Sequence, residues 1–354
     1  MTDAISPLLA NQEFRELESS WQRARAAHVP RESFYVLAGK AVRLCIAGQA
    51  LAAYLQRAFA HVAIAHVPNP ALTIELWDEA ETGVPYPFTF APNAPELPQL
   101  SDGEVLRADS SARFIRTEKS DAVTWLDRKT SRILGWRANG AIPPTHERSK
   151  PLSFLISLWL YDQDVVVLHA GMVARNGNGV LISGGSGIGK TTTALTCLLA
   201  GFDYLGDDQI AVETHDGKMF CAHSLFHSAR LEPNHLTRFP AFEPHTLPST
   251  DPLDNKSLVF IGELYPEQIK RTARVCALVL PRLAGGKETH LEPASRTQAL
   301  TYLARTSLMS PFGIGRRRFE RITQLLGSIP CYWLELGHDL ATIPPVIDEL
   351  IPGH

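Results

Sequence analysis

Eight consecutive residues, Gly184-Gly185-Ser186-Gly187-Ile188-Gly189-Lys190-Thr191, satisfy the Walker A pattern G-x-x-x-x-G-K-S/T. The chemistry of that pattern is phosphate binding. Glycines admit positive φ and let the backbone come close to a ligand. Their N–H groups, with the N-terminus of the next helix, then face a polyphosphate. Lys190 brings a point charge to the β- and γ-phosphates, and the Thr191 hydroxyl is a hard oxygen ligand suited to Mg²⁺. The nucleotide-binding set is Gly184, Gly185, Ser186, Gly187, Ile188, Gly189, Lys190, Thr191 and Thr192.

The flanking residues fit this use. Val180-Leu181-Ile182 is a compact apolar strand entering the loop, and 190–200 reads as a helix leaving it, with Gly201 as its C-cap. Phosphoryl transfer also calls for a carboxylate on the metal and a base for the acceptor hydroxyl. Gly206-Asp207-Asp208 lies one helix and one short strand after Lys190. In a parallel α/β layout it returns to the phosphate edge, where one carboxylate holds metal and the other takes a proton. Without the glycine loop the same triplet would read as a solvated turn.

The elements that position these residues fall into two parts. Residues 1–145 carry a helix at 8–27, strands at Phe34–Leu37 and Ala41–Ile46, a helix at Gln49–Ala60 and a strand at Leu72–Trp77. A Pro/Gly/Asn-rich loop at 80–102 and four closely spaced strands at 105–109, 112–117, 122–127 and 131–137 follow, the last four predicting an antiparallel sheet. This is a smaller α+β domain of unknown role. Residues 146–354 predict an α/β layered domain: a helix at Leu152–Leu160, a strand at Val165–Leu168, a hairpin turning at Asn176–Gly179, and the glycine loop. A strand at Val275–Leu280, helices at 296–304 and 317–327, a strand at Cys331–Leu336 and a closing helix at 340–350 complete it.

Composition narrows the function classes. The formal net charge of −3 argues against a general nucleic-acid binder and against polybasic membrane attachment. Five scattered cysteines, none in a C-x-x-C spacing, predict free thiols in a reducing compartment. The start Met1-Thr2-Asp3-Ala4 lacks the basic and apolar regions of a signal peptide, and no apolar run is long enough to span a bilayer, so a cytoplasmic protein is expected.

The stretch Leu168-His169-Ala170, followed by Gly179 through Thr191 and by Gly206-Asp207-Asp208, resembles the core of HPr kinase/phosphorylase. It looks closer still to the HPr-kinase-like serine kinases of bacterial gene clusters. The specific likeness covers roughly 165–215, with a looser one through Ser224–Arg230, Asn255-Lys256-Ser257 and Val275–Pro281. The resemblance implies a phosphoenolpyruvate-carboxykinase-like P-loop fold, ATP and Mg²⁺ as cofactors, and phosphate transfer to a hydroxyl, usually a serine. By position it makes His169 an active-site histidine, Asp207 the catalytic acid/base and Asp208 its acidic partner on the metal side. Arg230 and Lys256 match basic residues near the phosphates. Relatives often assemble as hexamers, which leaves a homo-oligomer open. The Glu-x-Arg-Gly signature of true HPr kinases is absent downstream, so the resemblance does not extend to recognition of HPr or to the reverse reaction. The acceptor class stays a peptide, a protein or a small molecule.

Two functions of different class follow. One is an ATP-dependent kinase with Asp207 as base and Lys190 and Mg²⁺ neutralising the transferred group. The other is a nucleotide-binding regulatory or scaffold protein with little or no transfer, using the loop as a switch. Three weaker features read as structural. His223 and His227 are four apart, but nearby prolines oppose the helix that would pair them on metal. Arg316-Arg317-Arg318 and Arg321 read as the solvated face of a helix whose Leu325 and Leu326 turn inward. Trp77, Trp125 and Trp333 lie in strands and read as core.

Overall fold

The computed structural model describes residues 6–89, 98–100, 104–141, 143–215, 219–249, 254–307 and 315–352. It is a mixed α/β protein with several sheets. The chain divides into two compact units, Met1–Pro143 with Pro151–Asp162, and Pro144–Lys150 with Gln163–His354. The helix Ser153–Asp162 thus groups with the first unit. Among the described residues no helix is long and apolar enough to cross a membrane.

In the first unit, Ser6 caps the helix Pro7–Ala27 by accepting a hydrogen bond from the Leu9 N–H. Ala10, Phe14, Leu17, Trp21 and Ala24 recur every three or four residues and form its buried stripe. Eight strands follow: β1 (Arg31–Leu37), β2 (Lys40–Ala47), β3 (Ala63–Ile64), β4 (Leu72–Asp78), β5 (Val105–Ala108), β6 (Phe114–Lys119), β7 (Ala122–Asp127) and β8 (Arg132–Arg137). They make one sheet, ordered β3-β1-β2-β4-β8-β7-β6-β5. The hairpins from β5 to β8 are antiparallel as expected, but β8 also pairs parallel with β4, Ile74 opposite Ile133 and Trp77 opposite Trp136. The two predicted strand groups therefore share one sheet and one core, in which Trp77 and Trp125 are fully buried. Within the loop expected at 80–102, Glu79–Thr82 forms one helical turn, and 90–97 and 101–103 lie outside the described residues.

The second unit is built on β9 (Val166–Leu168), β10 (Ala170–Arg175), β11 (Asn178–Ser183), β12 (Asp203–Gly206), β13 (Ile210–His215), β14 (Met219–Ser224), β15 (Ser228–Leu231), β16 (Ser257–Phe260), β17 (Thr272–Leu283), β18 (His290–Pro293) and β19 (Cys331–Leu336). The main path runs β12-β10-β11-β17-β14-β13-β9, β19 joins β17 and β18 joins β19, while β15 and β16 form a separate ribbon. Strand residues alternate between two cores. Val180 and Ile182 pack with Ala194, Leu195 and Leu198 of the helix Lys190–Leu199 and with Ile343 and Ile347 of the helix Ile343–Asp348. Leu181, Leu278 and Leu280 face the other way, toward Ala299 and Leu303 of the helix Arg296–Ser307 and Ile322, Leu325 and Leu326 of the helix Gly315–Ser328. Helices on both faces of a sheet give the layered architecture expected. The closing helix expected at 340–350 is broken into a 3₁₀ turn, Leu340–Thr342, and the helix Ile343–Asp348. Pro344 and Pro345 lack N–H groups and fit only a helix's first turn.

The path of the chain through this sheet positions the site. Strand β10 is antiparallel to both β11 and β12, so β11 and β12 run parallel with β10 between them. The return of Asp207 to the end where the glycine loop leaves β11 follows from this, although the two strands are not neighbours. Leu168 ends β9 at one edge of the path, and Ala170 begins β10 near the other. Two residues apart in sequence, their Cα atoms are at most about 7 Å apart. The sheet is therefore curled until its edges meet. Two short crossings tie those edges, His169 between β9 and β10, and Asp207–Gln209 between β12 and β13.

Candidate nucleotide site

The loop Gly184–Gly189 joins β11 to the helix Lys190–Leu199, with Ser186 and Gly187 exposed at its crest. Glycine is required at both of its ends. A Cβ on Gly184 would lie 2.1 Å from Ile188 Cδ1, so Ile188 folds back over it. Gly189, the helix N-cap, has φ of 107°, and a Cβ there would lie 2.3 Å from Leu336 Cδ1. The first N–H groups of a helix lack intrahelical acceptors, which suits this end of the helix Lys190–Leu199 to an anion.

Lys190 is buried and donates from Nζ to the carbonyl oxygens of Gly184 and Gly185, each at 2.8 Å. Burial pushes its ammonium down to about 8, against the pull of Asp207. Thr191 Oγ1 donates to Asp207 Oδ2 at 3.0 Å. Thr192, in the first turn of the helix, is buried. Asp207 is itself buried, and desolvation raises its carboxyl above the usual range, while the Thr191 hydroxyl and the charges of Lys150, Lys190 and Lys256 work to lower it.

Asp208 turns to a different pair. Its Oδ1 lies 2.9 Å from His169 Nδ1, and its Oδ2 is ion-paired with Lys150 Nζ. Desolvation, with the charges of Lys190, Lys150 and Lys256, pushes the His169 imidazole down to about 3. Asp208 alone would favour the imidazolium, but its charge is shared with Lys150. At 2.9 Å from a carboxylate oxygen, Nδ1 is the ring nitrogen placed to donate its N–H to Asp208, and a neutral ring in that position would carry its lone pair on Nε2. Ser183 Oγ donates to the His169 carbonyl at 3.2 Å, tying the strand before the loop to the first crossing.

The structure therefore brings Lys190, Thr191, Asp207, Asp208 and His169 together. The charge of Lys256 reaches Asp207, Lys190 and His169, although its Nζ also lies 3.1 Å from Glu232. Arg230, on β15, is turned to Asp254. Lys150 is the functional candidate that sequence reasoning misses: forty residues before Lys190 and followed by Pro151, it belongs to no motif.

The weaker features take ordinary places. His223 lies on β14 with Nε2 2.9 Å from Glu213 Oε1, and His227 follows that strand, its Nδ1 accepting from the Gly262 N–H at 3.1 Å. Arg317 and Arg321 both meet Asp164, Arg318 donates to the Val167 carbonyl, and Leu325 and Leu326 are buried as expected.

The donor set fits a magnesium nucleotide. Among the described residues no group of three His, Cys, Asp or Glu side chains is poised to hold a metal alone. The Thr191 hydroxyl and the adjoining acidic pair Asp207-Asp208 offer part of a hard-oxygen shell that phosphate oxygens and water would complete.

No protein-family model matches this chain, and no curated protein does. Among solved structures, the chain is similar to the Hpr(Ser) kinase/phosphatase from Coxiella burnetii. The likeness has 13% identity and a TM-score of 0.27, over 52% of this chain and 92% of that one.

Proposed function

We propose that this chain is an ATP-dependent phosphotransferase with an HPr-kinase-like P-loop core, moving the γ-phosphate to a hydroxyl of a peptide, a protein or a small molecule. The observation that carries this reading is the bond between Thr191 Oγ1 and Asp207 Oδ2. It sets a buried carboxylate beside the first turn of the helix that follows the glycine loop, which supports its use as the base for an acceptor hydroxyl. The loop amides and Lys190 would hold the polyphosphate; Thr191 and Asp208 would hold Mg²⁺, which would supply charge neutralisation on the phosphates. Asp207 takes the proton of the acceptor hydroxyl as its oxygen bonds to the γ-phosphorus. The bond from that phosphorus to the β,γ-bridging oxygen breaks, and ADP leaves. A serine is the acceptor the sequence resemblance favours.

The test is transfer of labelled γ-phosphate from ATP to candidate hydroxyl acceptors, with binding measured in parallel. Lys190→Ala is expected to abolish transfer. Asp207→Asn is expected to lower it by roughly 10²- to 10⁴-fold while largely keeping ATP binding. Tight magnesium-dependent ATP binding with no transfer to any acceptor would instead favour the regulatory reading. Wild-type rates from Asp207→Asn would remove Asp207 as the base.

A further inference from the structure

The segment Pro144–Lys150 belongs to the second unit, although the first unit's chain flanks it on both sides. Its short helix, Thr145–Ser149, is fixed from below. The buried Ser228 on β15 donates its hydroxyl to the Ser149 carbonyl at 2.7 Å, and Thr145 Oγ1 donates to the Pro248 carbonyl at 3.4 Å. Pro151 then stops the helix, because a residue before proline is driven out of the α region. Lys150 accordingly has φ −145° and ψ 65°. Its backbone is thus held by a buried serine on one side and a proline on the other.

From that platform Lys150 reaches Asp208. Asp208 follows another carboxylate directly, and Asp207 is buried. Two adjacent carboxylates repel, and an unpaired Asp208 would be free to rotate away from His169. Partly exposed ion pairs contribute little to stability. The pair matters more for what its other end holds: Asp208 divides its two oxygens between Lys150 Nζ and His169 Nδ1.

We propose that Lys150 is a positioning residue of the phosphate site: its ammonium fixes the Asp208 carboxylate so that Asp208 holds His169 in the Nδ1–H form, with the lone pair on Nε2. Its part in transfer rests on the phosphotransferase reading above; the tautomer does not.

The full-length chain and its Lys150→Met and Lys150→Arg variants provide the test. Nitrogen-15 histidine spectra, with His169 assigned through His169→Asn, report the tautomer directly. The Nδ1–H form is expected in the wild type and in Lys150→Arg, and a mixture with Nε2–H in Lys150→Met. In steady-state transfer, Lys150→Met is expected to lose roughly ten- to a hundredfold in kcat, with KM for ATP changed little and the arginine variant recovering most of the loss. A His169 tautomer indifferent to Lys150→Met overturns the proposal. So does unchanged kcat in that variant of an active enzyme, and the phosphotransferase reading then survives. A wild type that transfers no phosphate, yet shows the tautomer change, sinks that reading and leaves the positioning role standing. Should Lys150→Met fail to fold, Lys150→Gln takes its place in both measurements.

Discussion

Thr191 Oγ1 and Asp207 Oδ2 are 3.0 Å apart, joining the first turn of the loop helix to the end of β12 across sixteen residues of sequence. The hydroxyl donates to a buried carboxylate and so stabilises its ionised form. Thr191→Val keeps the shape and removes the donor. Burial already raises the Asp207 carboxyl, and losing this bond raises it further. A base of higher pKa is protonated over more of the acidic range. The acidic limb of the kcat/KM profile is therefore expected to move to higher pH in Thr191→Val and to stay in place in Thr191→Ser. A profile unmoved by Thr191→Val would mean that Asp207 is not the group titrating there.

Gly189 and Gly185 sit in the same loop under different constraints. At Gly189, φ is 107° and an added Cβ would press on the buried Leu336; at Gly185 an added Cβ meets nothing within 4 Å. Gly189→Ala is expected to lower stability by about 1–3 kcal/mol. Gly185→Ala is expected to stay within about 0.5 kcal/mol of wild type. Urea midpoints of the two variants, measured side by side, check the contrast; equal midpoints would contradict the geometry.

What could be read ahead of the structure was what is local. The glycine loop, its strand and its helix are contiguous, and the amphipathic helix Pro7–Ala27 announces itself by spacing alone. His169 has no local signal and was reached only by resemblance; its place depends on a curled sheet whose edges meet there. Lys150 depends on Ser228 and Asp208, each more than fifty residues away. The parallel pairing of β4 with β8 was hidden for the same reason, since Ile74 and Ile133 are far apart in sequence and nothing within either strand names its partner. The antiparallel pair β13 and β14 was missed as well, although Asp216-Gly217 between them is a strong hairpin signal.

The cysteines check the packing independently of any ligand. All five are free thiols, of which Cys45, Cys197 and Cys331 are buried and Cys221 and Cys276 half-buried. Desolvation pushes the Cys197 thiol up to about 12 and that of Cys331 up to about 11. Alkylation needs an accessible thiolate. In native protein at pH 8, iodoacetamide is expected to modify Cys221 and Cys276 first, and the other three only as the chain unfolds. Peptide mapping by mass spectrometry gives the order, and early modification of Cys197 would mean that the core around the loop helix is open.

Lys190 gives the phosphate site a pH dependence of known sign. Burial holds its ammonium down to about 8 in the free protein. Below that value the lysine is charged and attracts a polyphosphate; as pH rises through it, the charge is lost. Phosphate groups, with a second pKa near about 6, keep a constant charge over the same range. Affinity for metal-free ATP is therefore expected to fall roughly tenfold between about pH 7 and 9.5, the scale of one charge-assisted hydrogen bond. Lys190→Met is expected to bind weakly and without that slope. Calorimetric titration at several pH values decides the matter. A wild-type affinity that stays flat across pH 8 would show that the ammonium resting on Gly184 and Gly185 is not the group that meets the phosphates.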